Sequence, residues 1–346
     1  MGEDLRDLLA RAPGRTLVAR ATDGVSLHVE VDEPTGGRDP LLTVVLTHGF
    51  TLDLRSWVFQ RHDLTAAGYR VVLWDQRGHG RSGHGHLVGN TIEQLGEDLR
   101  RVVDTAVPEG QIALVGHSMG GMTVMSYAAD HAEQVRERVV AVALVSTSAG
   151  GMHRVRWGLG ERLGALVNEI GPVLTARLAP RQTMLRQVRR RTPYIDEVPV
   201  AVSSFGSKVP RAVRRLTADM ILGTDLAVMS AFAPALKAHD KRDALAHLRD
   251  VPLLAMVGDR DVLTEPVHTA EIVEALPHAD HLVVRRAGHV IMLEHPEIVG
   301  DHLLELLDRV VSGHGDDVDR MPVHRHTCVD LRRGRGRRAL SLGRVR

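Results

Sequence analysis

Gln111-Ile112-Ala113-Leu114-Val115-Gly116-His117-Ser118-Met119-Gly120-Gly121-Met122 is the stretch on which the reading of this chain turns. A short apolar run rich in β-formers ends on Gly-x-Ser-x-Gly. It passes straight into Met122-Thr123-Val124-Met125-Ser126-Tyr127-Ala128-Ala129, which reads as a helix. Strand, sharp turn and helix in that order lift a serine out of strained backbone, with its hydroxyl above the sheet edge. Gly116 and Gly120 leave room for strand and helix to approach closely. Ser118 is therefore the candidate nucleophile, although the same pentapeptide also occurs in ordinary glycine-rich turns, so the rest of the chain has to decide.

Working outward, Thr16 to Ala21 and Val25 to Val31 flank Asp23-Gly24, a hairpin signal. Leu41 to Thr47 and Tyr69 to Trp74 are nearly continuous apolar runs, as expected of strands covered on both faces. A helix with Trp57 lies between them, and another from Ile92 to Ala106 precedes the serine strand. Val139 to Ser146 is the next strand. After Thr147-Ser148-Ala149-Gly150-Gly151 the alternation stops. Leu163, Leu166, Val167 and Ile170, then Met184, Leu185 and Val188, keep helical spacing between Pro172, Pro180, Pro193 and Pro199. The alternation resumes with a helix over Ala218 to Ala238 and a strand over Pro252 to Val257. Then come a helix over Val267 to Leu276, a strand over His281 to Val284 and a helix over Pro296 to Val311. Strands alternating with helices predict a mostly parallel, doubly wound sheet of the α/β class, with the hairpin as an antiparallel edge.

This divides the chain into four parts. Residues 1–15 form an N-terminal helical appendage with Leu5, Leu8 and Leu9 on one side; 16–151 and 226–311 form the α/β core. Residues 152–225 form a helical cap inserted after the sixth strand, and 312–346 form a basic, disordered tail. With 346 residues, 43% of them hydrophobic, the chain is long enough for a full core. Its net charge of +1 hides an uneven spread. Nine arginines face four aspartates from Ser312 on, and thirteen basic residues face six acids between Met152 and Asp225, so the remainder is acidic. No apolar run reaches bilayer-spanning length, and the start Met1-Gly2-Glu3-Asp4-Leu5-Arg6 lacks the layout of a secretory signal. A cytoplasmic location is expected. The single cysteine, Cys328, excludes an intramolecular disulfide.

Functional residues of an open parallel sheet gather at the carboxyl ends of its strands. Four such ends present His48-Gly49-Phe50, Ser118, Asp259 with Asp261, and His289, in the chain order nucleophile, acid, histidine. A protonated serine hydroxyl is a poor nucleophile. An imidazole has to take its proton during attack, and a carboxylate has to fix the ring tautomer and stabilise the imidazolium. The developing oxyanion needs donors fixed in advance, here the backbone N–H groups of Met119 and Phe50.

With HGF at 48–50, Trp57, DQRGHGRS at 75–82, GHSMGG at 116–121, GDRD at 258–261 and GHVIMLEHPE at 288–297, the chain resembles the α/β-hydrolase fold family from about Thr16 to Val311. The resemblance implies Ser118, Asp261 and His289 as catalytic residues, with Asp261 preferred to Asp259 by its place two residues past the Gly-Asp turn. It implies neither cofactor nor metal. His79, His84 and His86 lack acidic or cysteine partners at ligand spacing, and the Arg332 to Arg338 run reads as a solvated tail, so no nucleic-acid partner is expected.

Family members that displace halide or open epoxides use a carboxylate nucleophile, because a serine would leave an inert ether. Ser118 therefore directs the reading to carbonyl attack on a small-molecule acyl substrate. Tyr194 is the cap's single tyrosine, so a pair of phenols donating to an epoxide oxygen is not available there. Hydrolysis of a carboxylic ester, with an apolar substrate suggested by the cap's Leu, Val and Met content, is the leading expectation. Cofactor-free haloperoxidase or perhydrolase chemistry, carbon–carbon bond hydrolysis and lipase activity use the same triad. A non-catalytic ligand-binding module is the alternative from outside the enzymes, and the oligomeric state stays open.

Overall fold

The computed structural model describes residues 5–86, 90–152, 203–313 and 326–329, together with Arg177. Among the described residues nine strands form one sheet: β1 (Arg15–Arg20), β2 (Ser26–Asp32), β3 (Thr43–Thr47), β4 (Arg70–Trp74), β5 (Ile112–His117), β6 (Val139–Val145), β7 (Leu253–Gly258), β8 (Asp280–Val284) and β9 (His326–Val329). Their spatial order is β1-β2-β4-β3-β5-β6-β7-β8-β9. Pairing is antiparallel for β1 with β2 and for β2 with β4, and parallel from β4 through to β9. The fold is thus the expected α/β-hydrolase arrangement with an antiparallel edge, and β5 lies at its centre.

Side chains of a strand alternate between faces, so a strand buried on both sides has to be apolar throughout. Val44, Leu46, Val71, Leu73, Ala113 and Val115 enter one core layer, while Val45, Val72, Trp74, Ile112 and Leu114 enter the other. The first layer is covered by α1 (Leu5–Ala10), α2 (Val58–Ala67) and the long final helix Pro296–Val311, through Leu5, Leu8, Leu64, Val299 and Leu303. The second is covered by α3 (Ile92–Ala106) and α4 (Met119–Asp130), through Leu99, Val102, Val103, Val124 and Met125. The segment read as an appendage therefore lays Leu5 and Leu8 into the same core layer as α2.

Two readings need correction. The helix read over 218–238 is two helices, Arg211–Gly223 and Leu226–Ala238, bent by 88°. Gly223-Thr224-Asp225 interrupts the helical pattern, and Thr224 Oγ1 donates to Thr51 O at 3.3 Å, tying the bend to the loop after β3. The tail is not irregular throughout, since His326–Val329 adds β9 in register His281↔His326 to Val284↔Val329. Thr327-Cys328-Val329 is short, alternating and β-forming, a signal overridden by the glycine and arginine around it. The cap readings over 153–176 and 178–202, including Tyr194, and most of the tail lie outside the described residues. Lys241 N–H donates to Ala149 O at 2.7 Å and Gly150 bridges Asp240, which joins the loop after β6 to the chain just beyond the helix Leu226–Ala238. Among the described residues no single helix is long and apolar enough to cross a membrane.

The loop after β4 is pinned by a buried cation. Arg77, 1% exposed, donates to Asp98 at 2.6 and 2.7 Å and to Asp23 at 2.8 and 3.2 Å. Its ion pair reaches the hairpin turn and α3 rather than Asp75, whose carboxylate instead accepts Leu54 N–H and Arg81 N–H at 2.9 and 2.8 Å. Breaking one side of a buried pair leaves a charge without its partner. Asp98→Ala is expected to cost about 3–5 kcal/mol in urea unfolding, and a loss below about 1 kcal/mol would contradict this account of the loop.

Candidate active site

Ser118 sits between the end of β5 and the first turn of α4 with φ 54° and ψ −119°. A non-glycine residue in that region costs about 1–3 kcal/mol and persists only where its surroundings dictate it. Here they do. A Cβ on Gly116 would lie 2.5 Å from Gly120 O, and one on Gly120 would lie 2.3 Å from Thr47 O. Strand and helix meet at main-chain contact distance, and the residue between them is turned outward. Ser118 N–H donates to Val145 O at 2.9 Å and Ser118 O accepts from Thr147 Oγ1 at 2.7 Å, so the strained turn is tied to β6 and the loop after it.

Met119 opens α4, and the first N–H groups of a helix have no acceptor within it. The loop after β3 comes alongside: a Cβ on Gly49 would lie 3.0 Å from the Cβ of Ser118. Phe50 follows in that loop, with Thr51 at φ 63°. Phe50 packs with Met119, Met122, Val228 and Phe232 in a small apolar cluster separate from the two core layers.

Asp261 and His289 are brought together. His289 Nδ1–H donates to Asp261 Oδ2 at 2.8 Å, with Asp261 3% and His289 6% exposed. Asp261 Oδ1 accepts Leu263 N–H and Thr264 N–H, both at 2.9 Å, and Thr264 Oγ1 donates to Oδ2 at 2.8 Å. A carboxylate filled in this way holds Nδ1 of the imidazole as donor and leaves Nε2 with its lone pair. Asp259 is exposed and accepts Arg286 N–H instead, shaping the turn. Among the described residues, Ser118 Oγ forms no hydrogen bond with His289. The two are linked through His117, whose Nε2–H donates to His289 O at 3.0 Å and whose ring lies 4.8 Å from that of His289.

Thr264, His117 and Gln76 were not singled out from the sequence. Thr264 stands three residues after Asp261, the spacing at which a carboxylate caps following N–H groups. Gln76 supports the Phe50 loop. Its N–H donates to His48 Nε2 at 2.9 Å, its Nε2 donates to His48 O at 2.6 Å, and its Oε1 accepts from Thr123 Oγ1 at 2.7 Å. His48 Nδ1–H in turn donates to Gly49 O at 2.8 Å. That arrangement needs a neutral ring, because a proton on Nε2 would face the Gln76 N–H.

Residues 38–296 match the family model described as serine aminopeptidase, S33. The chain is 27% identical over 272 residues, 76% of its length, to the dihydrolipoyllysine-residue acetyltransferase component of the acetoin cleaving system of Pseudomonas putida, and it spans 63% of that relative. Over 297 residues it is 26% identical to the 2-hydroxy-6-oxononadienedioate/2-hydroxy-6-oxononatrienedioate hydrolase of Burkholderia vietnamiensis, covering 83% of this chain and 93% of that one. A thermophilic esterase from Thermogutta terrifontis matches with a TM-score of 0.65 and 25% identity, over 86% of this chain and 99% of the other.

Burial pushes His48 down to about 4. The unfolded chain takes up a proton near 6.5 that the folded chain refuses until about 4, so stability falls as pH drops through that window. Asp75, pushed up to about 6 by burial, acts in the opposite sense, which makes a difference measurement necessary. Between pH 6.5 and 4 the wild type is expected to lose about 1.4 kcal/mol per pH unit more than His48→Gln in chemical denaturation. Parallel curves would contradict a neutral buried His48.

Proposed function

The chain belongs to the serine aminopeptidase, S33 family of α/β hydrolases, and from that premise we propose that it cleaves a carboxylic ester or related acyl compound through an acyl-enzyme on Ser118. Ser118 Oγ attacks the substrate carbonyl while His289 Nε2 takes its proton. Asp261 stabilises the imidazolium through Nδ1–H. The N–H groups of Met119 and Phe50 receive the oxyanion, and collapse of the tetrahedral intermediate expels an alcohol that leaves with the proton from His289. Water enters, His289 takes its proton, and the mirrored sequence releases the acid and restores Ser118.

The observation that carries this reading is the buried Asp261–His289 bond of 2.8 Å in a chain whose serine is held at φ 54° over a helix start. The bond orients Nε2 as an acceptor, which is what a serine nucleophile needs. Contact between Ser118 Oγ and His289 then forms in the substrate complex, where such bonds commonly tighten. The apolar cluster of Phe50, Met119, Met122, Val228 and Phe232 supports an apolar group beside the reacting carbonyl. Neither cofactor nor metal has a step in this sequence.

Similarity to the Burkholderia vietnamiensis hydrolase along 93% of its length supports a second reading, carbon–carbon bond cleavage by the same residues. A panel of p-nitrophenyl esters of increasing acyl length, run beside a vinylogous 1,5-diketone, separates the two. The ester reading expects turnover of the esters and a preference for apolar acyl chains. Ser118→Ala is expected to reduce kcat to background, and Asp261→Asn to reduce it about 10⁴-fold with folding intact. An active Asp261→Asn protein beside an inactive Asp259→Asn protein would reverse the assignment of the acid.

A further inference from the structure

Three consecutive main-chain groups around His289 are held from outside its own loop. Gly288 N–H donates to Glu294 Oε2 at 2.7 Å, His289 O accepts from His117 Nε2 at 3.0 Å, and Val290 N–H donates to Ser204 O at 3.0 Å. Two of these anchors lead to one segment, residues 203–207, which precedes the bent helix pair. Glu294 Oε2 also accepts Gly206 N–H at 3.1 Å. Its Oε1 accepts the N–H and the hydroxyl of Ser207 at 2.5 and 2.6 Å.

One carboxylate, 8% exposed, therefore receives four donors from two segments, and a single oxygen bridges Gly206 to the residue before His289. The backbones cross too closely for any side chain. A Cβ on Gly206 would lie 2.6 Å from the Ala287 carbonyl carbon, and one on Gly288 would lie 2.7 Å from that of Phe205. Arg260, next to Asp261, donates to Gly206 O at 2.7 Å, so the same crossing also touches the acid loop.

No step of the proposed reaction uses this carboxylate. We infer that Glu294 is a positioning residue for His289: it fixes the main chain from which the imidazole projects and fastens that main chain to residues 203–207. The inference rests on the reading of His289 as general base. A carboxylate can accept all four donors because both oxygens are acceptors only, whereas a glutamine turns an NH₂ group toward donors on one side. Glu294→Gln can therefore keep the Ser207 side or the Gly206–Gly288 side. Small displacements of a general base lower the chemical step more than substrate binding.

The test compares wild type, Glu294→Gln, Ser207→Ala and, as a control for stability alone, Val135→Ala, which truncates a residue 1% exposed in the far core layer. Ester kinetics, the rate of labelling by a fluorophosphonate, and Tm are measured on each. Glu294→Gln is expected to lower kcat and the labelling rate about 100-fold with KM within about twofold. Ser207→Ala, which removes one donor, is expected to lower kcat about threefold to tenfold, and Val135→Ala to lower Tm with kcat unchanged. A Glu294→Gln protein within twofold of wild type in both rates would overturn the inference. So would a Val135→Ala protein of equal Tm loss and equal loss of kcat. If Glu294→Gln does not fold, an unchanged kcat in Ser207→Ala overturns it. A wild type that neither labels nor turns over esters defeats the reading of Ser118 and His289 instead, and the positioning role falls with it.

Discussion

The contact between β5 and α4 is the constraint on which the rest of the molecule depends. Gly116 and Gly120 touch main chain to main chain, and Gly120 also rests against Thr47 O of the neighbouring strand. With the elements that close, Ser118 has a single way through the turn, at φ 54°. The strain is paid for by the two buried core layers that clamp the central strands. The loops after β3, β7 and β8 then need only reach the space above that turn, and buried polar ties bring them there.

Those ties follow a common pattern. His48 with Gln76, His117 with the His289 carbonyl, and Glu294 with Gly288 each satisfy main-chain groups of a loop from a neighbouring element, while Asp261 accepts Leu263 N–H and Thr264 N–H within its own loop. Loops carry the chemistry, and buried polar groups left without partners are costly, so a loop whose N–H and C=O groups are all claimed has few alternative conformations. Rigidity at the strand ends therefore comes from hydrogen bonds, while apolar packing supplies the platform beneath them.

Much of this was legible in the chain itself. Apolar runs such as 41–47 and 69–74 are long enough and β-branched enough to be strands covered on both faces, and helix periodicity was clear over 92–106 and 296–311. Ser118, His289 and the pair Asp259 and Asp261 stand out because strand ends are where such a sheet exposes side chains, and only the resemblance to the α/β hydrolases favours Asp261 within the pair. What escaped depends on three-dimensional crossings. Glu294 lies in a stretch already recognised, yet its partners Gly206 and Ser207 are remote in sequence and have no local pattern. The partners of Arg77 were unreadable for the same reason, since Asp23 and Asp98 belong to a hairpin turn and a helix. The bend at Gly223-Thr224-Asp225 and the strand at 326–329 were missed because strong local signals, a long apolar helical run and an arginine-glycine tail, outweighed weaker ones.

The account stands or falls on whether the strained serine is a nucleophile activated by the histidine held on Asp261. Treatment of the folded protein with a fluorophosphonate, followed by peptide mapping, tests this most directly. One phosphonyl group per chain is predicted, on Ser118, with no adduct formed on the same timescale in His289→Ala. Labelling that is absent from the folded wild type, located on another residue, or indifferent to His289 would contradict it.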